Sequence, residues 1–121
     1  VVPLPTLAWE IVSRALAETT DTKPFLFGRY GSDGFSGWSK AKADLDKRVG
    51  VAPWTLHDLR RTFSTHMHEA NLAEPHIIEA CLNHISGARA SVAGTYNRAA
   101  YLVQKRAAFE AWAAWVDNKV T

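Results

Sequence analysis

Four residues in this sequence could do chemistry together: His57, Arg60, His84 and Tyr96, in that order. Arg60 follows His57 by about one helical turn, so on a helix the two side chains share a face and can converge on a small anion. Arginine offers a planar fork that binds phosphate oxygens in pairs, which a lysine ammonium cannot imitate. Imidazoles donate to the same oxygens and move protons near neutral pH. A tyrosine from a later helix would be a nucleophile once its phenol, with an ordinary pKa of about 10, gives up its proton. This set suits attack on a phosphodiester, which needs an in-line nucleophile, donors on the non-bridging oxygens and a proton for the departing oxygen. Each residue also has an ordinary reading: a packed tyrosine, an arginine in a surface ion pair, structural histidines in a helical core.

The elements around these residues set their frame. Thr55-Leu56-His57-Asp58 reads as a helix start, with Thr55 as N-cap and Asp58 as its reciprocal partner. His57 then lies in the first turn and Arg60 about one turn on, near the positive end of the helix dipole. The helix should continue through Phe63, Met67 and Ala70 to Asn71, a residue that tolerates the left-handed stop. Pro75 opens a short helix bearing Ile77, Ile78, Cys81 and Leu82, with His84 at its end. Ile85 to Gly94 reads as a loop, so Tyr96 would ride on a short helix beyond a mobile segment.

Earlier in the chain, Thr6 can cap a helix with Leu7, Ile11, Ala15 and Leu16 in a stripe. Phe25-Leu26-Phe27 is a short strand or extended piece, followed by a glycine-rich connector from Gly28 to Gly37. A second helix is expected from Ser36 to Val49, with Trp38, Ala41 and Leu45 inward, Lys42 outward and Gly50 as its stop. After Tyr101 the chain is strongly helical, with Phe109, Trp112 and Val116 on one stripe large enough to need covering. The fold class is therefore mainly α, with at most a little strand near Phe25.

Composition narrows the function classes. The 121 residues are 47% hydrophobic, include five Trp and are 21% charged, which describes one globular domain. No apolar run approaches the ~20 residues that cross a bilayer. The lone Cys81 excludes an internal disulfide and suggests a reducing, cytoplasmic setting. A net charge of +2 is weak support for a nucleic-acid partner. His66 and His68 are two apart and point in different directions on a helix, so no metal is expected. The glycine-rich stretch lacks a nucleotide-binding spacing, so it is expected to be a connector rather than a phosphate cradle; no cofactor and no small-molecule substrate are expected.

Thr55-Leu56-His57-Asp58-Leu59-Arg60-Arg61-Thr62-Phe63, then Leu82-Asn83-His84, then Thr95-Tyr96-Asn97-Arg98, resembles the catalytic domain of tyrosine recombinases, the phage-type integrases. The resemblance covers most of the chain and is strongest from Trp54 to Trp115. Asn83-His84-Ile85-Ser86-Gly87 and Tyr96-Asn97-Arg98-Ala99 are similar to the phage-satellite and genomic-island type of this family. It implies that residues 1–121 are the C-terminal, helical part of the catalytic domain, from a prophage or mobile element. It implies strand cleavage and rejoining through a 3′-phosphotyrosyl bond at a double-stranded DNA attachment site, with self-association on the DNA. Arg60 would be the second phosphate-clamping arginine, His57 and His84 the accessory histidines, and Tyr96 the nucleophile. The family's other arginine and its hairpin lysine precede the segment that resembles Val2-Pro3-Leu4-Pro5, so this chain is expected to be inactive alone. A non-catalytic DNA-binding or interaction module of the same fold is the alternative.

Overall fold

The computed structural model describes residues 1–18, 25–27, 34–51, 53–84 and 101–120. Among them are five helices and no strand: α1 (Thr6–Ala17), α2 (Trp38–Val49), α3 (Leu56–Glu69), α4 (Pro75–Cys81) and α5 (Leu102–Val120). The mainly helical class expected from periodicity is what forms. Phe25 to Phe27 is not a strand but an irregular, bent piece. No helix among the described residues is long and apolar enough to cross a membrane.

The chain divides into two compact units. One comprises Val1–Trp9 and Leu56–Thr121, and it holds the core: Phe63 and Met67 of α3, Ile77 and Ile78 of α4, Leu82 just beyond α4, and Ala108 of α5. Met67 and Ile78 are fully buried. α4 packs against both α3 and α5, so this seven-residue helix is the middle of the arrangement. Phe109 and Trp112 lie against Phe63, at ring-centroid distances of 5.9 and 5.2 Å. The aromatic stripe of α5 thus covers its own unit.

Helix ends show how the sequence writes this unit. At the end of α3, Asn71 adopts φ 55°, its N–H reaches the His68 carbonyl, and Leu72 N–H reaches the Met67 carbonyl. These are the paired bonds of a Schellman stop, with Leu72 packed back on the core as its apolar contact. At the other end, α3 begins directly after Thr55, in the expected frame. α1 departs from expectation, because Thr6 is the first helical residue and not its cap. The Glu110 carboxylate of α5 accepts from the Thr6 N–H at 3.0 Å and from its hydroxyl at 3.2 Å. A free first-turn N–H is thereby satisfied from a helix far along the chain.

The second unit, Glu10–Thr55, has no buried residue in its helical parts. α2 ends as expected at Gly50, whose φ of 65° is the left-handed conformation glycine adopts without a Cβ penalty. Its start is Trp38 rather than Ser36, after Gly37 at φ 105°. The expected stripes are not covered: Ile11, Leu16, Trp38 and Leu45 are 53%, 49%, 62% and 40% exposed. So short a unit buries too little of its surface to enclose them. Lys42, expected outward, is instead the half-buried residue, bound to both Asp46 oxygens at 2.6 and 2.7 Å and set 4.1 Å from the centre of the Trp54 ring. Its charge is met by a carboxylate and a π face.

The core assignment makes a testable distinction. Met67→Ala should destabilise the chain by about 2–5 kcal/mol, whereas Leu59→Ala, at a position 57% exposed, should stay within about 0.5 kcal/mol. Urea denaturation followed by circular dichroism measures both.

Candidate active site

Arg60 is the fifth residue of α3 and is half-buried, and its Nη2 donates to the main-chain carbonyl of Leu82. Leu82 is 7% exposed and belongs to the core, so the guanidinium is moored to a fixed point. A guanidinium has five N–H donors in a rigid fork, and the bond to Leu82, the one hydrogen bond it makes among the described residues, uses only part of that fork. Next door, Arg61 points to Asp58 at 3.5 Å and is 74% exposed, an ordinary surface pair.

His84 reaches the same neighbourhood through the end of α4. Asn83 takes φ 54°, Asn83 N–H bonds the Ala80 carbonyl at 3.2 Å, and His84 N–H bonds the Glu79 carbonyl at 3.1 Å. This is a second Schellman stop, again with asparagine in the left-handed position. The residue that would usually make the closing apolar contact is here His84, whose Nδ1 meets Glu79 Oε2 at 2.6 Å. An apolar contact is replaced by an imidazole–carboxylate hydrogen bond on the same motif. The turn therefore delivers two things side by side: the carbonyl that holds Arg60, and an oriented histidine two residues later.

His57 lies exposed in the first turn of α3, three residues before Arg60. Tyr96 falls outside the described residues, as do the expected loop and short helix around it. The structure thus brings Arg60 beside the Leu82–His84 turn, places His57 one turn away along α3, and says nothing of Tyr96. Sequence reasoning missed Glu79. The signal was present in a glutamate five residues before a histidine, with an asparagine helix stop between them, but only the left-handed turn makes that spacing a contact.

The remaining histidines make contacts of their own. His66 pairs with Glu69 at 3.2 Å and stacks on Trp115, with ring centres 4.7 Å apart. His68 Nδ1 lies 2.7 Å from the Ser64 carbonyl, and His76 meets the Tyr101 ring edge-on. Among the described residues no group of three His, Cys, Asp or Glu could hold a metal ion. Burial pushes the Cys81 thiol above its ordinary value, with the Lys105 ammonium pulling partly the other way. A thiol held protonated is a poor nucleophile near neutral pH.

The chain is similar to phage and prophage integrases. Over 118 residues, 98% of this chain, it is 32% identical to the prophage integrase IntZ of Escherichia coli (strain K12). Over 64 residues, 53% of the chain, it is 42% identical both to the integrase of Shigella phage Sf6 and to the prophage integrase IntS of Escherichia coli (strain K12). These relatives support an integrase family. The aligned segments span 28% of IntZ and 16% of the other two integrases. No protein-family model matches the chain, and no solved structure gives a significant match.

The turn at Asn83 can be tested alone. Asn83→Gly should be tolerated, while Asn83→Ala should cost about 1–2 kcal/mol, because an alanine in the left-handed region sets its Cβ against the carbonyl. Comparing the two melting curves checks it. At pH 8, iodoacetamide should modify Cys81 in the folded chain more slowly than in urea, since the raised value leaves less thiolate.

Proposed function

We propose that this chain is the C-terminal part of a tyrosine-recombinase catalytic domain. The integrase that contains it would cut and rejoin double-stranded DNA at an attachment site, working as copies assembled on that DNA. The observation that carries the reading is the mooring of Arg60 to the Leu82 carbonyl, which sets the guanidinium beside the turn that ends in His84. Similarity to phage and prophage integrases supports it from a separate direction.

In this reading Tyr96 Oη attacks the scissile phosphorus. A bond forms between the tyrosine oxygen and the 3′-phosphate while the bond to the 5′ oxygen breaks. The phenol proton leaves to a base, and the departing 5′ oxygen gains a proton. Arg60 and the two imidazoles, His57 and His84, face the non-bridging oxygens and stabilise the charge that accumulates on them in the pentacoordinate state. Rejoining is the reverse displacement by a 5′ hydroxyl, and since the phosphotyrosyl bond keeps the energy of the phosphodiester, neither step needs a nucleotide. No metal enters the scheme. This reading takes the family's other clamping arginine and its lysine acid to be supplied from outside these 121 residues, so the segment by itself would be a poor catalyst.

The experiment uses the whole integrase with a nicked attachment-site substrate that traps the covalent complex. Tyr96→Phe should abolish that complex while leaving DNA binding intact. Arg60→Ala should slow its formation by about 10²- to 10³-fold, with a smaller loss of binding that is spread over many phosphates. The isolated chain should trap far less complex than the whole protein. Undiminished trapping by the Phe variant would transfer the nucleophile to another residue, and unchanged DNA binding with no trapping by the parent would favour a non-catalytic module.

A further inference from the structure

We infer that Glu79 is a positioning residue for His84: it fixes which ring nitrogen faces the phosphate. This rests on the reading of His84 as a phosphate donor given above. Glu79 Oε2 lies 2.6 Å from His84 Nδ1, and the two residues are also joined along the main chain by the His84 N–H to Glu79 carbonyl bond of 3.1 Å. A carboxylate only accepts hydrogen bonds, so Nδ1 must carry the proton in this contact. The hydrogen bond made by one ring nitrogen decides the role of the other, which here is Nε2. With Nδ1 committed to Glu79, Nε2 is the ring nitrogen left for a ligand.

Three further features make this a device rather than a chance surface pair. First, the ring has little freedom to leave, because the Schellman bonds at Asn83 hold the His84 backbone in place while Leu82 is anchored in the core. Second, Arg60 is fastened to the Leu82 carbonyl, two residues from His84, so the oriented imidazole and the guanidinium share one short turn as their reference. Third, charge is balanced: when Nε2 also carries a proton and donates to a phosphate oxygen, the imidazolium lies between two anionic groups, Glu79 and the phosphate. Without Glu79 the neutral ring could place its proton on Nε2 or Nδ1 and rotate, and only part of the population would present a donor in the right direction.

Two readouts separate this from a structural role for Glu79. In the 121-residue chain labelled with 15N-histidine, the neutral His84 ring should show a protonated Nδ1 and an unprotonated Nε2. Glu79→Gln keeps an acceptor and should retain that pattern, whereas Glu79→Ala should lose it with the fold unchanged by circular dichroism. In the whole integrase, Glu79→Ala should slow covalent trapping about tenfold, in keeping with the loss of one charged hydrogen bond, while attachment-site binding is unaffected. Glu79→Gln should recover part of that loss, and the Glu79→Ala/His84→Ala double variant should be no slower than His84→Ala. An unchanged tautomer in Glu79→Ala, or losses that add in the double variant, would overturn the inference. If instead Tyr96→Phe still traps DNA or His84→Ala cleaves at the parental rate, the functional reading has failed, and the tautomer measurement still decides whether Glu79 orients the ring.

Discussion

The left-handed turn at Asn83 is the constraint on which the candidate site depends. A helix that stopped one residue later, or frayed into an extended strand, would carry His84 away from Glu79 and remove the Leu82 carbonyl from Arg60. Asparagine visits φ near 54° at modest cost, and the two main-chain bonds that follow satisfy carbonyls that α4 would otherwise leave open. Local backbone chemistry, not a long-range ion pair, therefore places the donors. Leu82 links this turn to stability: its side chain is in the core while its carbonyl faces Arg60. Packing and site geometry are written in one residue.

Everything else in the same unit keeps that turn still. α4 has only seven residues, too few to hold itself together in water, and it is stable because Ile77 and Ile78 are buried between α3 and α5. Ala108 brings α5 close, and Phe109 and Trp112 close over Phe63. The Glu110 carboxylate on the same helix holds the start of α1 through Thr6. Among its described residues the other unit has no buried side chain, and Ile11, Leu16, Trp38 and Leu45 remain open to solvent.

Much of this was legible in the sequence for identifiable reasons. Asn71, Gly50 and Pro75 are residues whose backbone preferences end or begin helices, and each does so where expected. Thr55 fixed the frame of α3, and hence the shared face of His57 and Arg60. What periodicity could not reveal was whether a stripe finds a partner. Leu7, Ile11 and Leu16 have helical spacing, yet they lie at the surface, because spacing records which residues share a face and not what covers that face. Lys42 was misplaced for a related reason: its burial comes from Asp46 and the Trp54 ring, a contact between residues twelve apart. Glu79 escaped notice because its role exists only once the chain reverses at Asn83.

The most direct measurement is a crystal structure of the whole integrase carrying Tyr96→Phe, bound to an uncleaved attachment site. One backbone phosphate should lie within hydrogen-bonding distance of both the Arg60 guanidinium and His84 Nε2, with Glu79 still on Nδ1 and residue 96 directed at that phosphorus. A DNA complex in which the phosphate nearest residue 96 contacts neither Arg60 nor His84 would contradict it.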